Sequence, residues 1–334
     1  PGPVTIPSID LTPFATADDL PNAAADASAA ELDRALRDVG FVTVRGHGIS
    51  DAVRHRYFDA VREFFGQSTE RKQAIAIGRS EFHRGYVGFE TESLDGALGG
   101  DEDAIGSAPA GDLKETLDTG TEYSVDHPLV VAGTPLHGPN QWPDLAGFRA
   151  AYDAYRSAVI GAALRMQRAM ATALGVAPTY FESLPGDTMF HLRLIHYPPR
   201  SERAPSVGQY GCGAHTDYGT LTVLADDGEP GLQVRERSGE WVDVSARPGE
   251  LVVNLGDLMA IWTNDRWVSN PHRVVNPAET HRYSSALFVT PPFHLRIETL
   301  PSCLDADGTS RHEPLVAGPY LLSRFDGTHD YRQD

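Results

Sequence analysis

The sequence predicts a mixed α and β fold, helical in its first half and built from antiparallel strands, as a sandwich or a barrel, in its second. Two observations carry this. Between Asp144 and Leu174, apolar side chains recur at Phe148, Tyr152, Tyr155, Val159, Ala163, Met166, Met170 and Leu174, the spacing of one helix face, and Gly175 stops the run. From Met189 onward the chain breaks into short apolar and β-branched runs separated by Gly-Asp, Asp-Gly, Ser-Gly and Pro-Gly turns. Strands that succeed one another without crossover helices pair antiparallel.

In chain order, Val4 to Ile9 reads as a short strand ending in Asp10. Leu32, Leu36 and Val39 place a helix from about Ser28, stopped by Gly40. Phe41-Val42-Thr43-Val44 alternates as a strand and is closed by Gly46-His47-Gly48. Ser50 is an N-cap for a second helix that aligns Val53, Tyr57, Val61, Phe64 and Phe65. Periodicity is weak from Gly78 to Asp126, and Leu94 to Gly111, rich in Gly, Ala and acid, reads as a mobile loop or lid. The Asp144–Leu174 stripe is expected to pack across one face of a sheet. Strands are expected at Phe190 to His196, Thr220 to Ala225, Leu232 to Arg235, Leu251 to Asn254, His272 to Val275 and Ser284 to Val289.

A length of 334 residues suggests two domains, yet no linker divides the chain and no repeat of fixed period runs through it. The expected organisation is an N-terminal helical region with the first strands (1–185), integral to the fold, then a β core (186–300) and a C-terminal tail (301–334) able to cover a site. With 46 acidic and 28 basic residues the formal charge is −18, which argues against an electrostatic grip on nucleic acid or on an anionic membrane. No run approaches the roughly 20 apolar residues of a membrane span. Pro1-Gly2-Pro3 does not open a secretory leader, and Cys212 and Cys303 need no disulfide in a chain able to bury a large core. The expectation is an acidic cytoplasmic protein with free thiols, a monomer or weak homodimer, that acts on a small molecule.

Thirteen histidines cannot all carry chemistry, and a lone strand histidine is ordinarily a packed or surface residue. Spacing singles out His215-Thr216-Asp217, because residues i and i+2 of a strand share a face. His272, in Asn270-Pro271-His272-Arg273-Val274, follows a turn-like segment and enters an apolar strand. Arg282 and Ser284, ten residues further on, again share a face. Two imidazoles and one carboxylate can take one face of a metal and leave other positions open, the arrangement of non-haem Fe(II) oxygenases. A neighbouring Arg can clamp a carboxylate in bidentate fashion, and a Ser hydroxyl can add a hydrogen bond. The same three ligands also suit Zn(II). Against these stand plainer readings. Cys212 is then a small buried hydrophobe, Arg282 a surface ion pair, and the stripe from Phe148 to Tyr155 core.

On these residues the chain resembles the isopenicillin N synthase-like family of Fe(II)/2-oxoglutarate-dependent dioxygenases. The matching strings are Gly46-His47-Gly48-Ile49, Leu192-Arg193-Leu194-Ile195-His196-Tyr197-Pro198-Pro199, Gly213-Ala214-His215-Thr216-Asp217-Tyr218-Gly219, Gly231-Leu232-Gln233-Val234, Asn254-Leu255-Gly256-Asp257 and Ser269-Asn270-Pro271-His272-Arg273-Val274. The resemblance implies a double-stranded β-helix (jelly roll) core with helices on one outer face. It implies Fe(II) on His215, Asp217 and His272, with 2-oxoglutarate and O2 as co-substrates. Arg282 and Ser284 match the pair that holds the distal carboxylate of 2-oxoglutarate, and Tyr197 matches a tyrosine that reaches the same molecule. One departure is Ile195, where plant members carry Asn.

The implied activity is oxidation of an unactivated C–H bond (hydroxylation, desaturation or ring closure) in a small amphipathic metabolite, amino-acid-derived or a natural-product intermediate. Candidate substrate contacts are Arg193, His191, Phe190, Leu221, Phe288 and Tyr86. Arg193 can fix a substrate carboxylate or sit in a structural ion pair. The rival readings are an Fe(II)/O2 oxidase that needs no 2-oxoglutarate, a non-catalytic metabolite-binding module and a zinc hydrolase. The Arg282 and Ser284 pair favours the oxygenase, since a zinc hydrolase has no use for a keto-acid clamp.

Overall fold

A computed structural model describes residues 6–94 and 111–326. The expected lid from Leu94 to Gly111 therefore falls, over 95–110, outside the described residues, as do the start of the first expected strand and the last eight residues of the tail.

Fourteen strands are described, in this order: β1 (Ser8–Asp10), β2 (Phe41–Arg45), β3 (Gly85–Val87), β4 (Glu115–Thr119), β5 (Met189–Tyr197), β6 (Cys212–His215), β7 (Leu221–Asp226), β8 (Leu232–Arg235), β9 (Trp241–Asp243), β10 (Leu251–Leu255), β11 (His272–Val274), β12 (Arg282–Thr290), β13 (Arg296–Ile297) and β14 (Leu315–Val316). The helices are α1 (Ala23–Asp38), α2 (Asp51–Phe65), α3 (Thr69–Gln73), α4 (Pro128–Val131), α5 (Phe148–Ala173), α6 (Asp257–Trp262) and α7 (Ala317–Asp326). One sheet has the order β1-β2-β10-β7-β12-β5-β4-β3, a second has β6-β11-β8-β9, and β13 pairs with β14. The two larger sheets form the jelly roll. Strands from residue 8 to residue 290 share the larger one, so the first third of the chain is woven into the core.

Alternation along each strand of the larger sheet sorts side chains into two cores. Leu192 and Leu194 of β5, Leu221 and Val223 of β7, and Leu287 and Val289 of β12 face the helices, where they join Leu32 and Leu36 of α1, Val61 and Phe64 of α2, and Tyr152, Val159 and Met166 of α5. Ile195 and Tyr197 of β5 instead join Cys212, Leu232, Val234 and Val274 of the smaller sheet, between the two sheets. The site is built on this second, inner face.

Several boundaries differ from the sequence reading. Helix α1 begins at Ala23 rather than near Ser28, because Asn22 caps it by accepting the Ala25 N–H at 3.0 Å. The Gly78–Asp126 stretch holds two strands of the larger sheet, β3 and β4. Strand β4, Glu-Thr-Leu-Asp-Thr, is buried at all five positions. Its polar side chains are all paired. Glu115 meets Lys72, Tyr86 and His196, Thr116 meets Asp118, Asp118 also meets His191 and Arg193, and Thr119 meets Tyr152. Buried charge that is paired and hydrogen-bonded does not exclude a segment from a core.

Candidate metal centre and substrate cavity

His215 ends β6 and His272 begins β11, and the two are direct cross-strand partners in the smaller sheet. Their ring centroids lie 4.3 Å apart. Asp217 stands beyond the end of β6, so the chain's exit from the strand, and not a shared strand face, brings its carboxylate to the imidazoles. Its Oδ1 lies 3.7 Å from Nε2 of His215 and 3.6 Å from Nε2 of His272. All three ligand atoms fall within 4.8 Å of one another, a potential metal site.

The partners of these side chains aim them. Nδ1 of His215 donates to the Gly213 carbonyl at 2.8 Å, and Nδ1 of His272 donates to the Asn270 carbonyl at 3.2 Å. Each ring therefore turns Nε2 toward Asp217, and in the neutral tautomer that donates from Nδ1 this is the nitrogen able to bind a metal. Burial pushes the His272 imidazole down to about 4, which keeps it neutral and able to ligate. Oδ2 of Asp217 accepts from Thr222 Oγ1 and, at 2.6 Å, from Asn254 Nδ2, so Oδ1 is the oxygen left over. Burial favours the protonated acid, but the adjacent His272 and His215 and these two donors hold the carboxyl below its ordinary value. Gly256 has no side chain for a spatial reason. A Cβ there would lie 2.3 Å from the Gly219 carbonyl oxygen and 2.9 Å from that of Asp217.

Arg282 and Ser284, at the start of β12, face the space between the sheets. Arg282 is 1% exposed. Its Nε donates to the Glu229 carbonyl at 3.1 Å, its guanidinium sits 5.1 Å from the Tyr197 ring centroid, and Nη2 lies 3.5 Å from Asp226. Neither Nη1 nor Nη2 has a hydrogen-bond partner, and neither has Ser284 Oγ, although all three atoms are buried. Orphaned donors of this kind cost stability unless a ligand satisfies them.

On the other side of the triad, a cavity is bounded by His215, Asp217, Phe190, His191, Arg193 and Phe288. Four of the six expected substrate contacts thus reach it, and two do not. Leu221 points to the helices, because on β7 the even-numbered residues face inward, as Thr222 does toward Asp217. Tyr86 also belongs to the helix-side core, its hydroxyl donating to Glu115 at 2.6 Å. Arg193 forms an ion pair: Nε donates to Asp118 at 2.7 Å and Nη1 to Glu92 at 3.0 Å. His191 donates to the same Asp118 oxygen at 2.6 Å.

Glu92, Asp112, Lys114 and Asp118 escaped the sequence reading. Lys114 joins Asp112 to Glu92, and Asp112 accepts the Gly213 N–H at 3.0 Å. Burial would strip the Lys114 proton, but Asp112 and the other charges beside it win and raise its pKa well above the ordinary value. Burial likewise opposes ionisation of Asp118, yet the Arg193 charge and the His191 hydrogen bond hold it far below the carboxylate range. The β-branched Thr116 and Thr119 around Leu117 were the available signal for a strand, masked by Glu115 and Asp118. From the tail, Leu321 and Phe325 complete the cavity wall. Cys212 and Cys303 are buried and form no disulfide.

Comparison with known proteins fits this geometry. Residues 6–145 match the N-terminal region of non-haem dioxygenases in morphine synthesis, and residues 189–291 match the 2OG-Fe(II) oxygenase superfamily. The chain belongs to the 2OG-Fe(II) oxygenase superfamily. It is 35% identical to the 2-oxoglutarate-Fe(II) type oxidoreductase hxnY of Emericella nidulans, over 96% of this chain and 91% of that protein. It is 34% identical to the homoarginine-6-hydroxylase 2-ODD-C23 of Glycine max, over 96% of each. A full-length Neurospora crassa protein, solved in complex with alpha-KG, superposes with a TM-score of 0.80 at 30% identity, over 98% of this chain and 97% of that one. This 2OG-Fe(II) oxygenase is thus a dioxygenase that uses Fe(II), 2-oxoglutarate and O2. Among its described residues, no helix is long and apolar enough to cross a membrane.

Proposed function

We propose that this oxygenase holds Fe(II) on His215, Asp217 and His272 and binds 2-oxoglutarate through Arg282, Ser284 and Tyr197. On the same reading it oxidises an unactivated C–H bond of a small amphipathic metabolite, amino-acid-derived or a natural-product intermediate. The observation that carries the co-substrate reading is the trio of buried atoms that make no hydrogen bond, Arg282 Nη1 and Nη2 and Ser284 Oγ. A carboxylate is the ligand that answers two guanidinium donors and a hydroxyl at once. Bound Fe(II), with 2-oxoglutarate and O2, supplies the oxidant for C–H cleavage, by hydroxylation, desaturation or ring closure.

The chain's own residues do the rest. Thr222 and Asn254 hold Asp217 so that one oxygen faces the imidazoles. The backbone at Gly213 and Asn270 fixes which imidazole nitrogen ligates. Arg282 neutralises the far carboxylate of the diacid, and Tyr197 supports the guanidinium with its ring face. Phe190, Phe288 and the tail's Leu321 and Phe325 exclude water from the cavity. Arg193, with Nε on Asp118 and Nη1 on Glu92, meets the substrate as part of a paired cluster, which suits an uncharged hydrogen-bonding group at that end. Two similarities bracket the substrate class. The Glycine max relative is named for homoarginine. The Neurospora crassa protein is also described in complex with alpha-KG and thymine, a structure 29% identical to this chain with a TM-score of 0.79. Buried free thiols and the net negative charge support a cytoplasmic monomer or weak homodimer.

Anaerobic titration of the Fe(II) protein with 2-oxoglutarate tests the co-substrate site, with a visible metal-to-ligand charge-transfer band expected. His215→Ala should abolish Fe(II) binding, and a variant that still loads iron would falsify the ligand assignment. For the substrate, succinate formation should be stimulated by an amino acid, a nucleobase or a natural-product precursor. Stimulation confined to large polymeric substrates overturns the small-molecule reading.

A further inference from the structure

We propose that Asp257 is a positioning residue that clasps the C-terminal helix over the substrate cavity. The inference rests on the reading above that this cavity receives the substrate. Helix α7 supplies Leu321 and Phe325 to the wall. Its start is fixed by the backbone, with Ala317 N–H donating to the Leu295 carbonyl at 3.0 Å and Gly318 N–H to the Phe293 carbonyl at 2.8 Å. Gly318 lies so near the Phe293 ring that a Cβ would come within 2.5 Å of it. The half of the helix that carries the wall has different anchors, and they converge on one carboxylate. The Tyr320 hydroxyl donates to Asp257 Oδ2 at 3.1 Å, and Arg324 Nη2 lies 3.7 Å from the same oxygen.

Asp257 also reaches both ligand-bearing loops. Its N–H donates to the Asp217 carbonyl at 2.7 Å, and its Oδ1 accepts from Ser269 Oγ at 2.8 Å, one residue before the Asn270 carbonyl that orients His272. The residue therefore joins the cavity wall to the two loops beneath it. A ten-residue helix is marginal on its own in water, so its seat depends on such anchors. Nothing in the triad chemistry needs Tyr320 or Arg324, yet both turn toward Asp257. Phe325 meanwhile stacks on His83 with ring centroids 4.5 Å apart and 11° between planes. Holding the wall shut keeps water from the metal side of the cavity, and closure of this kind suppresses unproductive consumption of a reactive co-substrate.

The test uses the full chain loaded with Fe(II) and 2-oxoglutarate under nitrogen, as wild type, Asp257→Asn and Tyr320→Phe. Hydrogen exchange of amides 319–326 should be at least tenfold faster in Asp257→Asn and about threefold faster in Tyr320→Phe. The 2-oxoglutarate titration midpoint should stay within twofold. On exposure to air without added substrate, succinate formation should rise at least threefold in Asp257→Asn. Unchanged exchange in both variants overturns the clasp. So does faster exchange with unchanged substrate-free turnover, which makes Asp257 a fold anchor only. A loss of 2-oxoglutarate affinity beyond tenfold also overturns it, by assigning Asp257 to the metal loops instead of the wall. Tyr320→Phe, which touches neither loop, decides the matter if Asp257→Asn does not fold. A wild type with no charge-transfer band sinks the co-substrate reading, while the clasp still stands or falls by the exchange measurement.

Discussion

Two buried arginines on neighbouring strands face the same interior and differ in what they are given. Arg193 on β5 and Arg282 on β12 sit four cross-strand pairs apart, Arg193 opposite Ala286 and Arg282 opposite Tyr197. Arg193 is satisfied inside the protein by Asp118 and Glu92. Arg282 gives its Nε to a carbonyl and has Asp226 3.5 Å from Nη2, but neither terminal nitrogen makes a hydrogen bond. A guanidinium hydrogen-bonded to carboxylates is part of the scaffold, and one whose buried terminal nitrogens lack a hydrogen bond still has donors to offer an anion. Charge alone does not distinguish them, and the sequence shows the charge alone.

The sharpest way to break this comparison is to remove each arginine. Arg193→Leu leaves Asp118 and Glu92 buried with fewer partners and should cost about 3–5 kcal/mol of stability. A melting curve like that of the wild type would erase the contrast. Arg282→Leu should do the reverse, weakening 2-oxoglutarate binding about a hundredfold while leaving folding stability within about 1 kcal/mol. Titration of the charge-transfer band and a denaturant curve read the two effects.

Asp118 sharpens the paired side through pH. Its native carboxyl titrates below its unfolded value, so its contribution is complete above about pH 4 and fades as pH falls toward the native value. Asp118→Asn should therefore be less stable than wild type by about 2 kcal/mol at pH 7, with the gap narrowing below about pH 4. A gap that widens in acid contradicts the pairing. Ser284→Ala removes one orphaned hydroxyl and should weaken 2-oxoglutarate binding three- to tenfold, about 1 kcal/mol. The smallest effect concerns Cys212, whose thiol burial pushes up to about 12. The native protein at pH 8 should leave it unmodified by a thiol reagent, and reaction within minutes would show an interior more open than described.

What could be read in the sequence follows from physical period and spacing. The α5 stripe and the strands after Met189 repeat at 3.6 and 2 residues, and each period survives without knowledge of the partner. That His215, Asp217 and His272 come together was legible because their residue types and separations suit one metal, and Arg282 and Ser284 stood out by their shared spacing. Leu221 and Tyr86 were misplaced because a strand's alternation gives two faces without saying which is inward. Thr222 decides that for β7, and only through Asp217, five residues earlier. Lys114, Asp112, Glu92 and Asp118 were illegible for a different reason. Charged residues read as surface until their partners, up to 101 residues away, are in view.

The fastening of Asp217 has a last consequence. With Thr222 and Asn254 both occupying Oδ2, the side chain cannot rotate to offer its second oxygen as well. On the proposed ligand set it would bind a metal through one oxygen. A chelating carboxylate would use up a coordination position that a diacid or a gas molecule must take, so with a metal bound two neutral donors deep in the fold would leave room for either.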